Sequence, residues 1–158
     1  GVFGFFVQKV YPKRLTGTGV EVIFERIPAE IVDIRERAEA LILECIKESR
    51  SDTVARYYIE TFDWYFRQPR FLFSHLSGSQ SARVWLEREF SNSRNYLNDV
   101  EGDYLSRLES LADFKADIDF HYAVQKLMKG WLLIHVPAAV ALLLLALWHL
   151  LVVHVYTL

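Results

Sequence analysis

Residues 131–158 read Trp131-Leu-Leu-Ile-His135-Val-Pro137-Ala-Ala-Val-Ala-Leu-Leu-Leu-Leu-Ala-Leu-Trp148-His149-Leu-Leu-Val-Val-His154-Val-Tyr156-Thr-Leu158. This stretch contains no Asp, Glu, Lys or Arg, and it exceeds the roughly 20 apolar residues that a helix needs to cross a bilayer. An ionisable side chain inside hydrocarbon is costly unless it has a partner, so its presence indicates a functional site. The stretch therefore predicts a transmembrane helix that binds something through imidazole.

The spacing of the histidines predicts which of them act together. His135 and His149 are separated by about 1400° of helical rotation, some 40° short of four full turns, so both project from nearly the same face. They lie roughly 21 Å apart along the axis, one towards each side of the hydrocarbon core. His154 lies about 140° further round the helix, and His121 lies about 15 Å before the start of the span. These two are weaker candidates, and we expect His121 to be a solvated helix histidine.

Imidazole is the commonest protein ligand for metals and an axial ligand of haem iron. His135 and His149 could each supply one axial ligand to one of two stacked haems, and a second helix would supply the others. Alternatively, both side chains could hydrogen-bond backbone carbonyls or a neighbouring helix, as polar residues in membrane bundles do. The spacing alone leaves both interpretations open.

Two stretches carry a resemblance to known proteins. The first is Lys129-Gly130-Trp131-Leu-Leu-Ile-His135-Val-Pro137 with His149 following, and the second is Gly1-Val-Phe-Gly-Phe-Phe-Val-Gln-Lys-Val-Tyr-Pro12-Lys-Arg-Leu-Thr16 followed by Glu21-Val-Ile-Phe-Glu25-Arg-Ile-Pro28. They resemble the closing helix and the opening stretch of a family of bacterial di-haem b-type membrane cytochromes. The resemblance covers the two chain ends and is weak over the middle.

This resemblance implies that His135 and His149 are axial ligands to the iron of two haem b groups. It also implies that the opening stretch ends one membrane helix and leads into a helical extramembrane insert. Relatives often carry a further histidine just before the Gly-Trp pair, where this chain has Lys129, so no ligand is transferred to that position. The remaining axial ligands would come from another helix, a second copy of the chain or a different subunit.

Composition separates the chain into two parts. All 18 Lys and Arg and all 20 Asp and Glu precede residue 131, and the total of 158 residues suffices for one domain and one span. The net charge of −2 offers no basic footprint, so we expect no nucleic-acid partner. The single cysteine, Cys45, falls on the apolar side of a predicted helix and is expected to be a small buried residue.

The predicted domain organisation is 1–16, 17–128 and 129–158. Residues 1–7 are apolar and aromatic, and residues 1–10 are interpreted as the last turns of a preceding membrane helix, or alternatively as an apolar arm packed on the domain. Basic residues flank both apolar ends and none follows residue 129, so the positive-inside rule predicts that the helical insert 17–128 is cytoplasmic. For a bacterial protein of this kind, the membrane would be the inner membrane. Within the span, Pro137 removes a backbone hydrogen bond and is expected to kink the helix.

The predicted fold class is all-α, with a helical extramembrane domain followed by the transmembrane helix. Pro28 at a first-turn position opens a helix that runs to about Ser49, and a second helix follows Ser51 and Asp52 and ends before Pro69. The Ser and Gly content of residues 70–80 predicts a loop. Further helices are expected over residues 81–90, 97–111 and 114–129, the last running into the span.

Two classes of function follow from these observations. In the first, the chain is an electron-transfer subunit of a membrane cytochrome b rather than an independent enzyme, and its redox partner is unknown. In the second, it is a membrane-anchored helical scaffold or assembly subunit of a larger complex. Replacement of His135 or His149 by Ala distinguishes them, because only the first class predicts loss of haem.

Overall fold

The computed structural model describes residues 22–157 and, before them, the single residues Gly4, Lys9, Lys13 and Leu15. A 3₁₀ turn over Phe24–Arg26 leads into the first helix, and a π-helical turn over Tyr58–Phe62 joins the second and third. The helices are α1 (Ile27–Ser49), α2 (Thr53–Tyr57), α3 (Asp63–Phe66), α4 (Leu72–Ser77), α5 (Ser81–Arg94) and α6 (Asp99–Thr157). The described residues contain no strand, which confirms the all-α fold class.

The first two predicted helices lie where the sequence places them. Pro28 stands in the first turn of α1, where its missing N–H costs no hydrogen bond, and α1 ends at Ser49. Arg50 follows with φ of 56° and donates its backbone N–H to the carbonyl of Ile46, so a left-handed residue closes the helix. The segment from Thr53 to Phe66 is helical throughout, although its middle widens into the π-helical turn.

Residues 70–80 differ from the expected loop, because they contain the short helix α4. Phe71 begins it with φ of 52°, and Gly78 ends it with φ of 74°. Ser74 supports the turn after α4, since its hydroxyl donates to the carbonyl of Ser79 and lies 2.7 Å from the hydroxyl of Ser81. The serines that suggested a loop therefore close a helical turn through their side chains.

The fourth predicted helix and the membrane helix are one continuous element, α6, which is 59 residues long. At about 1.5 Å per residue it measures roughly 88 Å. Pro137 lies inside this helix and does not end it. The N-terminal part of α6 packs mainly against α1, α4 and α5, and its C-terminal part extends beyond the domain.

Apolar and aromatic side chains from α1, α2, α3, α5, α6 and the π-helical turn form one core. Cys45 belongs to it and is 1% exposed, which confirms the expected buried cysteine, and burial raises the pKa of its thiol. Phe62 stacks on Phe90 with ring centroids 4.4 Å apart, joining the π-helical turn to α5. The largest fully buried apolar side chains are Tyr65, Phe62, Phe66, Phe90, Ile27, Ile34, Leu105, Leu108, Ile118 and Val124.

Candidate functional site

The C-terminal half of α6 is long and apolar enough to cross a membrane, judged by its length and composition. The buried positions of α6 end at Val124, whereas nearly every residue from Leu132 to Tyr156 is exposed on the chain. Exposed leucine and valine side chains on a helix beyond the core require an apolar environment. The helix therefore fits a bilayer rather than water.

His135 and His149 both lie in this exposed part of α6. Because α6 is unbroken between them, the helical rotation of about 40° and the axial separation of about 21 Å apply to the folded chain. The two imidazoles consequently project outward from one face, at different depths.

Two alanines and one leucine lie between the two histidines on that face. By helical rotation Ala138 and Ala146 lie within about 60° of both histidines. Leu142 lies midway between the histidines, about 20° round the helix from each. Small side chains allow a flat group or a second helix to approach the backbone closely. The spacing of the histidines alone did not indicate these intervening residues, although their places on the face follow from the same helical rotation.

The imidazole of His135 stacks on the indole of Trp131, one helical turn earlier. Their ring centroids are 5.0 Å apart and the planes are inclined by 18°. The i, i+4 spacing is the signal that could have indicated the pairing.

The two weaker candidates differ in their surroundings. His154 is exposed, and its rotation of about 140° from His149 directs it away from the shared face. His121 is only 3% exposed and lies edge-on to Phe120, with ring centroids 6.2 Å apart. The expectation that His121 is solvated is therefore wrong, because α6 packs into the domain at this position. Burial lowers the pKa of His121, and the carboxylate of Asp117 opposes that shift.

The segment that precedes α1 is attached to α6 immediately before the span. Gln125 donates its side-chain amide to the carbonyl of Val22 at 2.7 Å, and Phe24 stacks on Tyr122 with centroids 5.4 Å apart. Lys129 pairs with Glu25 and lies over the ring of Phe24, its Nζ 4.2 Å from the centroid. Hydrogen bonding to Lys129 lowers the pKa of Glu25.

Gly4, near the start of the chain, also lies against α6. Gly4 is helical, and a methyl group on its Cα would lie 3.2 Å from Cζ2 of Trp131. Most of residues 1–10, including the expected end of a membrane helix, lies outside the described residues. The contact at Gly4 places the chain beside the start of the span.

A buried ion pair lies on the domain part of α6. Lys115 donates to a carboxylate oxygen of Asp119 at 2.5 Å and to the carbonyl of Gln68 at 3.0 Å, and both charged side chains are completely buried. Asp119 also accepts the backbone N–H of Arg70 at 3.2 Å, so the pair attaches the connection between α3 and α4 to α6. Burial lowers the pKa of Lys115 and raises that of Asp119 to about 6.

His75 is the remaining histidine and lies in α4, beside Phe120 of α6. Its Nε2 is buried and has no hydrogen-bond partner. Burial and, to a lesser degree, the charge of Lys115 lower the pKa of His75 to about 4. His75 is therefore a neutral packing residue near neutral pH.

The donor set of the span fits one axial ligand for each of two haems. Among the described residues, no group of three or more His, Cys, Asp and Glu side chains could hold a bare metal ion. Haem needs fewer protein donors, because the porphyrin supplies four nitrogen ligands and the protein supplies only the axial positions. Exposed imidazoles at His135 and His149 meet this requirement in part, since each site still needs a second ligand if it is six-coordinate.

Comparison of the chain with models of protein families, with characterised proteins and with solved structures finds no match in any of the three. The functional interpretation consequently depends on the residues of α6 and their surroundings.

Proposed function

We propose that the protein is a haem-binding subunit of a membrane cytochrome b that carries electrons across or within the bilayer. His135 and His149 would be the axial ligands to two haem b groups. The observation that carries this proposal is the placement of two exposed imidazoles on one face of an uncharged, unbroken helix, about 21 Å apart along the axis.

The apolar surroundings explain why these imidazoles need a partner. A polar side chain exposed to hydrocarbon is unfavourable, and metal coordination or a hydrogen bond removes that cost. The alanines on that face leave space beside the backbone for a flat group or for a second helix.

The haem iron would supply one-electron redox chemistry when bound. The residues of this chain would hold the iron atoms at fixed depths and exclude water from them. The surrounding Leu, Val and Ala side chains would also tune the potentials through the low dielectric they create. Redox groups held at His135 and His149, which lie about 21 Å apart along the helix axis, would be placed to exchange electrons with each other.

The second axial ligand of each haem would come from outside this stretch of α6 if both positions are filled by histidine. The chain has five histidines, of which His75 and His121 lie in the extramembrane domain and His154 faces away from the shared face. We therefore infer that a further helix faces α6, from another part of the same protein, a second copy of this chain or a different subunit.

The orientation is part of the same proposal. Lys126 and Lys129 precede the span, Lys9 and Lys13 lie near the other apolar end, and the sequence after residue 129 has no Lys or Arg. By the positive-inside rule, the extramembrane domain would be cytoplasmic and the membrane would be the bacterial inner membrane. A reporter fused after Leu158 that is active only outside the cytoplasm should be active, and its inactivity would contradict this orientation.

Replacement of single histidines tests the haem assignment. His135→Ala and His149→Ala should each lose one haem per chain when the protein is purified with its native partners and haem is quantified as the pyridine complex. His154→Ala is the matched control, because it removes an imidazole from the same helix but from another face, and it should keep both haems. Unchanged haem content in both ligand variants would favour the scaffold function, in which these histidines bond neighbouring helices.

A further inference from the structure

We propose that Trp131 is a positioning residue for the cofactor site at His135, and that the N-terminal segment holds Trp131 in place through Gly4. This inference rests on the proposed function, since it concerns how one of its two ligands is oriented. It goes beyond that function because it assigns a role to two residues that are not ligands.

The orientation of the His135 imidazole is constrained by its neighbour on α6. An exposed histidine on an isolated helix rotates about its side-chain bonds, and fixing it costs conformational entropy. The indole of Trp131 covers one face of the imidazole at a centroid distance of 5.0 Å and leaves its plane inclined by only 18°. A ligand held in this way is pre-organised, as outer-shell partners commonly do for metal-binding histidines.

The indole is in turn constrained by the chain near Gly4. A Cβ on this residue would lie 3.2 Å from Cζ2 and 3.9 Å from Cε2 and Cη2 of Trp131. A Cβ contact of 3.2 Å is tighter than most, so even alanine at position 4 would require the indole to shift by a few tenths of an ångström, and a larger side chain would displace it further. Gly130, next to Trp131, differs in this respect, because a Cβ there would meet nothing within 4 Å. Gly4 thus permits a close approach that couples the N-terminal segment to the first ligand site.

His149 has a different arrangement, which gives an internal control. Trp148 precedes it directly and projects about 100° away round the helix, so it does not occupy the position that Trp131 has relative to His135. Substitutions at Trp131 and Gly4 should therefore affect only one of the two haems.

The test compares Trp131→Ala with Trp131→Phe in the full chain with its native partners. Trp131→Ala should weaken haem binding at the His135 site by roughly 10- to 100-fold, the usual effect of removing an outer-shell partner. It should also shift the electron paramagnetic resonance signal of that haem and leave the His149 haem unchanged. Trp131→Phe keeps a ring and should restore most of both properties, and Trp148→Ala should leave the His135 haem as in the wild type.

Gly4→Leu should reproduce the effect of Trp131→Ala by displacing the indole. The double variant Gly4→Leu, Trp131→Ala refills the space without an indole, so it should recover packing but not the haem signal. Recovery of the haem signal in the double variant, or an unchanged His135 haem in Trp131→Ala, would show that Trp131 only fills space and would overturn the proposal.

A measurement on the haem-free protein distinguishes failure of the positioning role of Trp131 from failure of the proposed haem function. In the haem-free protein, the ring current of Trp131 should move the Cε1–H proton resonance of His135 upfield, and Trp131→Ala should abolish that shift. Absence of the shift overturns the positioning role even if haem is bound. A wild-type protein that shows the shift but binds no haem overturns the proposed function itself and, with it, the assignment of Trp131 to a haem site.

Discussion

At the scale of single residues, the buried pair of Lys115 and Asp119 has the largest electrostatic consequences in the extramembrane domain. Neither side chain reaches solvent, and the ammonium also lies over the ring of Tyr65 with Nζ 4.1 Å from the centroid. Both groups lose hydration on folding, and the hydrogen bonds to Gln68 and Arg70 compensate part of that loss. One partner without the other would leave a buried charge.

Lys115→Met should therefore lower the free energy of unfolding of the domain by about 3–5 kcal/mol. The double variant Lys115→Met, Asp119→Leu should recover most of this loss, because it removes both charges. Arg35→Met is the control, since the pair of Arg35 and Glu39 is roughly half exposed and its loss should cost less than about 1 kcal/mol. Denaturant unfolding measures all three, and equal losses for Lys115→Met and Arg35→Met would contradict the account.

His75 gives the domain a pH-dependent stability. Its pKa is lowered to about 4 in the folded chain from an ordinary value near 6.5, mainly by burial. The folded state therefore binds this proton less readily than the unfolded state, so the contribution of His75 is present above about pH 6.5 and is lost as the pH falls towards 4. Asp119 titrates in an overlapping range with the opposite sign, because its pKa is raised.

Comparison of the wild type with His75→Gln isolates the histidine. The difference in unfolding midpoint between the two proteins should shift in favour of the variant as the pH falls from about 7 to 4. A series of thermal melts across this range measures it. A difference that does not change with pH would show that His75 is not protonated differently in the folded and unfolded chains.

At the scale of elements, α6 illustrates what a sequence pattern can and cannot predict. The apolar run from Trp131 onward and the helical stripe with Leu105 and Leu108 both predict helices, and both are helical. The sequence predicted that the helix before Gly130 runs on into the apolar segment. It did not predict that the helix with Leu105 and Leu108 is also continuous with them. α6 is continuous there because no helix-breaking residue lies near Leu111. The pattern of apolar positions changes at this point, but the backbone stays helical.

The helix α4 was not predicted from the sequence. Local composition favoured a loop, but contact with α6 and the hydrogen bonds of Ser74 stabilise a helical turn there. For the candidate site, sequence spacing predicted the common face of His135 and His149, because it depends only on helical rotation. The burial of His121 and the contact of Gly4 with Trp131 depend on tertiary packing, which no local pattern contains.

Two glycines at different positions of their helices should respond in opposite directions to alanine. Gly102 lies inside α6 with open space around its Cα, so Gly102→Ala should raise the free energy of unfolding by up to about 1 kcal/mol. Gly78 ends α4 with φ of 74°, and Gly78→Ala should lower it by about 1–2 kcal/mol, because an L side chain is strained in that conformation. Denaturant unfolding compares them, and changes of the same sign would contradict the assigned roles.

At the scale of the whole molecule, one continuous helix connects a packed helical domain to an apolar segment that carries the candidate ligands. Residues 22–25 contact α6 immediately before the span, so the start and the end of the domain lie side by side. A helix that enters the core of the domain and also carries His135 fixes the depth of both histidines relative to the domain. Under the proposed function, this arrangement would hold two redox groups at set positions relative to the domain.

The most direct test of the central claim is an absorbance spectrum of the dithionite-reduced minus the oxidised protein, purified in detergent with its native partners and with haem quantified per chain. We expect a sharp b-type α-band and up to two haems per chain. A folded protein without Soret or α-band would contradict the assignment of His135 and His149 as haem ligands and would leave the function of a membrane-anchored scaffold.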